Sequence, residues 1–342
     1  MAKKLLVAGG AGYIGCKLVA ALVKAGYAVK VYDKLYFGDE GLAAVLDQIE
    51  LEVGALIDLT EKSLEGIDAV INLAGLSNDP TAEYNPGVTR VMNVDSALHL
   101  ARLCKAMNVR RYIYASSCSI YYSLTPDETL RDEDSPVDPK APYSYSKYMA
   151  ERGLLAMADD DFCPVMLRKG TVFGQSPRMR YDLVVNVFTR DAFRDRQLIL
   201  HSNGRMWRPL LEMNDAVRAY MRVLEAPEDA IRGKIFNVLT DNYQVIQTAY
   251  QVRHTLETRK GIRLDLQLQE VGPVRSYRVD GSRFQQTMGI RLDGKLSSAV
   301  EEMWDALESG VEYSNPIYYN LQWLELLRDM ERRLRRMNYK VF

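Results

Sequence analysis

Residues 4–8 form a short apolar run that breaks into Gly9-Gly10-Ala11-Gly12. Apolar residues then recur at Ile14, Leu18, Leu22 and Val23. That is the spacing of one helical face, and it predicts a helix from Tyr13 to about Ala25 with Gly26 as its stop. A second apolar run, 28–32, ends at Asp33. The opening therefore reads strand, glycine turn, helix, strand. Further short apolar runs at 69–73, 112–115 and 164–167 are separated by helical stretches. Strands alternating with helices predict an α/β chain with a doubly wound parallel sheet, covered on both faces. After about Arg168 the pattern loosens. Ser176-Pro177-Arg178-Met179-Arg180 reads as a loop, 183–193 as a helix, and 233–238 as a strand able to rejoin the sheet. The expected organisation is a first domain at 1–170, taking back a strand near 233–240. A smaller α/β lobe at 171–342 is interleaved with it. Near the end, Leu321, Leu324, Leu327, Leu334 and Met337 keep near-helical spacing, with Arg332, Arg333, Arg335 and Arg336 between them. This predicts an amphipathic helix packed on the body or on a second subunit.

Composition removes several classes of function. Over 342 residues the net charge is -1, so nothing favours nucleic acid or an anionic membrane. The first residues are too soon interrupted by glycine for a signal peptide, and no apolar run reaches the roughly 18 residues of a membrane span. A cytoplasmic protein is expected. Cys16, Cys104, Cys118 and Cys163 form no CxxC pair, and His99, His201 and His254 are scattered, so no metal site is expected.

The glycines carry specific chemistry. Gly9, Gly12 and Gly15 are three apart, between a strand and a helix. One glycine makes the tight turn, one admits a pyrophosphate to the backbone, and one lets the helix pack closely. The helix N-terminus then offers free N–H groups to phosphate. Asp33 ends the next strand, where an acid bonds the adenosine ribose and repels a 2′-phosphate. NAD is therefore expected over NADP, with Lys34 leaving room for the latter.

A second cluster supplies acid–base groups. Pro142 opens a helical stretch to about Met157, in which Tyr143 and Lys147 are four apart and share a face. Lowering a tyrosine pKa from about 10 to about 7 requires roughly 4 kcal/mol. One cation at about 5 Å supplies roughly 3 kcal/mol at an effective dielectric of 20. Lys147 and a nicotinamide ring together would suffice. The run Tyr112 through Tyr121 is a strand entering a polar cluster, with hydroxyls at Ser117 and Ser119.

Together these pieces resemble the extended short-chain dehydrogenase/reductase family, in particular its sugar-nucleotide epimerases and dehydratases, over nearly the whole chain. The resemblance implies a Rossmann fold. Gly9, Gly12 and Gly15 match the family's glycine loop, with Tyr13 and Ile14 against the cofactor. Asp58 in GALID matches the aspartate that holds adenine, Leu73-Ala74-Gly75 the strand end beside the cofactor, and Asn93 the asparagine of the N-V motif. ASSCSIY places the active-site serine at Ser117, Tyr143 and Lys147 match the YxxxK pair, and Gly170 falls at the cofactor. The resemblance also implies substrate contacts from Ser77, Ser119, Arg178, Arg180 and Asn186, with Arg208 and Arg275 as phosphate ligands. Two arginines suit a diphosphate because each guanidinium donates two bonds.

Two departures narrow the expectation. The family's 4,6-dehydratases carry Asp-Glu after the active-site hydroxyl, where this chain has Cys118-Ser119. Tyr121-Tyr122 replaces the usual Tyr-Gly, which is expected to reshape the pocket. Cys118 is a further candidate base, by analogy with GDP-mannose 3,5-epimerase. The expected activity is an NAD-dependent nucleotide-sugar 4-epimerase working through a 4-keto sugar. The alternatives are dehydration, decarboxylation or release of the keto sugar after the same oxidation, and, remotely, a silent NAD-binding sensor or scaffold. The family also implies a homodimer through helices near 96–105 and 143–157.

Overall fold

The structure, a computed structural model, describes residues 2–122, 129–270 and 276–336. Its largest sheet has seven parallel strands: β1 (Lys4–Ala8), β2 (Ala28–Asp33), β3 (Ile49–Val53), β4 (Ala69–Asn72), β5 (Arg111–Ser117), β6 (Cys163–Lys169) and β7 (Ile235–Val238). Their order is β7-β6-β5-β4-β1-β2-β3, so the winding reverses between β1 and β4. β1, β4 and the middle of β6 are buried on both faces, which is why they read as unbroken apolar runs. β3 is an edge strand and alternates instead, with Glu50 and Glu52 paired to Lys4 and Lys30.

Eight helices of eleven residues or more are found among the described residues: α1 (Tyr13–Lys24), α2 (Ser96–Ala106), α3 (Pro142–Leu155), α4 (Val184–Asp195), α5 (Met213–Glu225), α6 (Val245–Lys260), α7 (Leu296–Glu308) and α8 (Asn320–Arg336). α1 and α5 bury Leu18, Leu22, Ala216 and Val223 with Val7, Ile71 and Val165 on one face of the sheet. α2 and α3 bury Leu100, Cys104, Ala150 and Leu154 with Leu6, Tyr112 and Met166 on the other. Trp207–Glu212 pairs with Thr171–Phe173 and Asp241–Gln244 in a small second sheet. β7 follows the first two of these strands in sequence, precedes the third, and returns to the edge of the large sheet, beside β6. The 233–238 expectation is met, at Ile235–Val238. The predicted helix at 183–193 is α4.

Candidate active site

A crevice of about 750 Å3 runs along the carboxyl ends of β1, β2, β4, β5 and β6, at the point where the strand order reverses. Position and size are those of a ligand site in a doubly wound sheet.

One end is built by the glycine turn. Gly9 has φ +78°, and a Cβ there would sit 2.7 Å from the Ala74 amide; a Cβ on Gly15 would collide with the Gly9 carbonyl. Glycine is therefore required where the turn meets β4 and where α1 starts. No side chain caps α1 at Gly12, which leaves the helix N-terminus to a ligand anion. Asp33 lies beside this turn, its carboxylate accepting from the Ala11 and Leu35 amides at 3.0 and 2.8 Å. Tyr13 Oη donates to the Gly174 carbonyl and Ser176 Oγ to the Tyr13 carbonyl, fastening the loop after β6 to the first turn of α1. Turn, uncapped helix and acid form a cradle that fits a dinucleotide.

The other end holds the acid–base groups. Proline opens α3 because its fixed φ suits a first helical turn. Tyr143 follows, and Lys147 stands one turn further on. Ser146 Oγ donates to the Tyr143 carbonyl and accepts from Asn93 Nδ2 at 3.0 Å. The Tyr143 hydroxyl shares a hydrogen bond with Ser117, whose Oγ also donates to Ser119 Oγ at 2.9 Å. Burial raises the phenol's pKa, and the Ser117 bond and the Arg180 charge oppose it. Lys147 Nζ donates to the Ala115 carbonyl at 2.9 Å and lies 4.8 Å over the Tyr114 ring. Burial, then the neighbouring Lys169 charge, push its pKa down to about 7. The sequence reading makes Lys147 the cation that acidifies Tyr143. The structure adds a second cation: the Arg180 charge lowers the phenol's pKa, while burial and the Lys169 charge lower that of Lys147 itself.

Most sequence-predicted positions line this one crevice: Gly9, Gly12, Tyr13, Ile14, Gly15, Asp33, Lys34, Leu73, Ala74, Gly75, Ser77, Ser117, Ser119, Tyr143, Lys147, Gly170, Arg178, Arg180 and Arg208. Three stand outside its wall. Asn93 is buried behind it, with Oδ1 accepting from the Leu76 amide and Nδ2 donating to the Leu76 carbonyl. Asn186 is buried too, accepting from the Gly174 amide and donating to Tyr13 Oη and the Arg180 carbonyl. Both position the wall. Asp58 is exposed, and Leu56 and Ile57 line the crevice in its place. Arg275 lies outside the described residues, as does Met337; Tyr277 lines the crevice near Arg208, 6.0 Å from its guanidinium. Cys118 is fully buried, its Sγ donating to the Arg168 carbonyl, and burial pushes its pKa far up. It is an inert thiol, not a base. Tyr121 likewise turns away from the crevice, into hydrogen bonds with Arg168 and Asn237.

Lys169, Asp182, Asn320 and Leu324 line the crevice without having been expected there from sequence, which placed Leu324 only on an amphipathic helix. A lysine closing the apolar run of β6 was the one available signal. Asp182 pairs with Arg180 at 2.9 Å. Asn320 and Leu324 reach the site only through the tertiary fold.

A family model described as the NAD dependent epimerase/dehydratase family matches residues 5–238. The UDP-glucose 4-epimerase of Lactobacillus helveticus is 28% identical over 287 residues, covering 75% of this chain and 86% of that protein. UDP-glucuronic acid decarboxylase 1 of Xenopus tropicalis is 27% identical over 232 residues, covering 66% of this chain and 54% of that protein. Among solved structures, the UDP-glucose 4-epimerase of Thermotoga maritima shares the fold with a TM-score of 0.79 at 22% identity, over 90% of this chain and 100% of that one. With the Rossmann sheet, the glycine turn and a match over most of the chain, this protein belongs to the NAD dependent epimerase/dehydratase family.

Proposed function

We propose that the protein is a nucleotide-sugar 4-epimerase that oxidises C4 and restores it from the opposite face. The observation that carries this is the Ser117–Tyr143 hydrogen bond at the crevice wall with, among the described residues, no carboxylate acting on it. The two positions after Ser117 hold a buried thiol and a hydroxyl. Among the described residues the acids that line the crevice are Asp33, Asp79 and Asp182. Asp33 serves the glycine turn, and Asp182 is paired with Arg180. Expelling water at C6 needs a proton donor and acceptor there. Asp79 lies on the segment after Ser77 and not beside the Ser117–Tyr143 pair, and redox chemistry with no Asp-Glu pair directly after Ser117 favours epimerisation.

In this reading Tyr143 receives the proton of the C4 hydroxyl, and Ser117 holds the same oxygen as it becomes a ketone. Lys147 bonds the ribose hydroxyls of the dinucleotide, and its nearness to Gly75 supports that role. Asp33 takes the adenosine ribose. Arg208, with Tyr277 nearby, faces the sugar-nucleotide diphosphate. Bound NAD supplies the hydride acceptor and returns the hydride. Tyr143 then gives its proton back to the inverted alcohol.

Lys169 favours a second reading. Its ammonium lies at the catalytic end, where burial and then the Arg180 charge push its pKa down to about 8. A cation there suits a sugar acid, and oxidation at C4 of such a sugar permits loss of carbon dioxide. Incubation with UDP-glucose, UDP-galactose and UDP-glucuronate, read by mass and NMR, tests both. Epimerisation gives an isomer of unchanged mass. A product lighter by water or carbon dioxide overturns it. We further infer a homodimer through α2 and α3.

A further inference from the structure

α8 lies beyond the residues of the family match, yet it forms part of the crevice. Asn320 and Leu324 line it. Trp323, between them, donates its indole N–H to the Tyr36 carbonyl, in the segment that follows Asp33. The Asn320 amide group donates to Ser77 Oγ at 3.1 Å, and its backbone N–H donates to Asp182 at 3.3 Å. Both ends of the crevice are thus bonded to the first turn of this helix.

Beneath it sits Arg178. It is 5% exposed, and its Nη2 donates to Asn320 Oδ1 at 2.7 Å and to the Ile317 carbonyl at 3.4 Å. The guanidinium lies 3.7 Å over the Phe37 ring. These partners are a side-chain amide, a backbone carbonyl and an aromatic face, and none carries a formal charge. Nε is buried without a hydrogen-bond partner. Burial, then the Arg180 charge, push the pKa down to about 9 against the opposing charge of Asp182, a carboxylate already paired with Arg180. A dry guanidinium with an orphan donor is costly unless an anion completes it. Its surroundings say which anion. Ser176, two residues earlier, is bonded to Tyr13, and Cys16 of α1 lies against the Arg178 backbone. The Arg178 backbone therefore lies against the first turn of α1, near where a dinucleotide's diphosphate meets the helix N-terminus.

We propose that α8 is a strap over the dinucleotide site, with Asn320 holding Arg178 as the counter-charge of the cofactor diphosphate and Leu324 closing the crevice above it. The resemblance gives Arg178 to the sugar nucleotide; the geometry gives it to the cofactor. The proposal rests on the dinucleotide occupying this crevice. Its consequence is a cofactor retained between turnovers, as an enzyme that must return its hydride to the same sugar requires.

The test uses purified full-length protein and NADH as the probe. Dissociation is followed by energy transfer from tryptophan to the dihydronicotinamide. Asn320→Ala and Arg178→Gln are expected to release NADH at least about tenfold faster, a loss of about 1.4 kcal/mol, with the KM for UDP-glucose within about twofold. Deletion of 320–342 is expected to do more, and the point variants keep the test open if that deletion does not fold. Unchanged NADH release overturns the strap, and a raised KM with unchanged release assigns both residues to the substrate instead. A wild-type protein that neither carries NAD as purified nor takes up NADH overturns the dinucleotide reading itself.

Discussion

Tyr143 must lose a proton in a place where burial alone keeps it on. The Ser117 hydrogen bond and then the charge of Arg180 offset part of this, Arg180 being drawn to the crevice by Asp182 and held through Ser77. Tyr143→Phe is expected to lower turnover by about 10²–10⁴-fold while NADH still binds; full turnover by this variant would assign the proton to another group. Arg180→Gln removes the cation and leaves the Asp182 charge, so the phenol pKa rises further. A base works only when deprotonated, so the acid limb of the kcat profile is expected to move to higher pH. An unmoved limb would remove Arg180 from the proton chemistry. Lys147 gives a prediction of stability. Its ammonium titrates near 10.4 when unfolded and at about 7 when folded. Between those values the unfolded chain binds more protons, so stability rises with pH through this window and the penalty is full below it. Lys147→Met is expected to abolish turnover, to stabilise the ligand-free protein at pH 7 by on the order of 1–4 kcal/mol, and to flatten the gain from pH 7 to 10. Melting curves of both proteins at the two pH values check it. Tyr143 and Lys147 were legible in sequence because their spacing on one helix fixes their neighbourhood. Arg180 was legible as a crevice residue but not as the charge acting on the phenol, because its partner Asp182 and its distance from α3 belong to the loop's tertiary path.

At the scale of elements, the strands that place the site are those whose two faces are both covered, and continuous apolar sequence finds these. β1 is bounded by the same residues in sequence and structure, since the glycine turn ends it. β3 was missed: its alternation of Ile49, Leu51 and Val53 with Glu50 and Glu52 is an edge pattern, to which a search for apolar runs is blind. Also illegible was the π-helical turn Val91–Asp95, which carries Asn93 to the Leu76 backbone. The end of β5 owes its position to a buried network. Glu151 on α3 accepts from Ser116 Oγ at 2.5 Å and from Arg168 at 2.7 Å, and Arg168 Nη1 donates to Tyr121 Oη at 2.6 Å. The network ties α3, β5 and β6 together behind Ser117 and Tyr143. Arg168→Met leaves the Glu151 carboxylate buried without its cation, and is expected to cost about 3–5 kcal/mol. Calorimetry would show it as a Tm lowered by several degrees; an unchanged Tm would mean that the network contributes nothing to holding these elements.

For the whole molecule, sequence periodicity foresaw the return of β7 to the large sheet, because an apolar strand must find cover and the edge beside β6 offers it. Contacts between separate molecules have no such internal signal, and here the argument starts from surface chemistry. α2 and α3 lie against one another, close enough that a Cβ on Gly153 would sit 2.6 Å from Leu98. Their outer face carries Tyr145 and Met149, four residues apart on α3 and 51% and 38% exposed. Helical neighbours of this kind form an apolar stripe, and a second copy turned by a two-fold axis would bury it against itself. The stripe starts two residues after Tyr143, so pairing would also stiffen the helix that carries the catalytic phenol. Tyr145→Glu combined with Met149→Glu places like charges across that axis. Light scattering at micromolar concentration is expected to give the mass of two chains for the natural protein and of one chain for the double variant. NADH binding is expected to persist in both, since neither side chain lines the crevice. Turnover by the monomer is expected to fall, with the KM for the sugar nucleotide little changed, because α3 loses the packing that holds Tyr143 against Ser117. A natural protein of single-chain mass at these concentrations would refute the pairing, and the exposed tyrosine and methionine would then be ordinary surface residues.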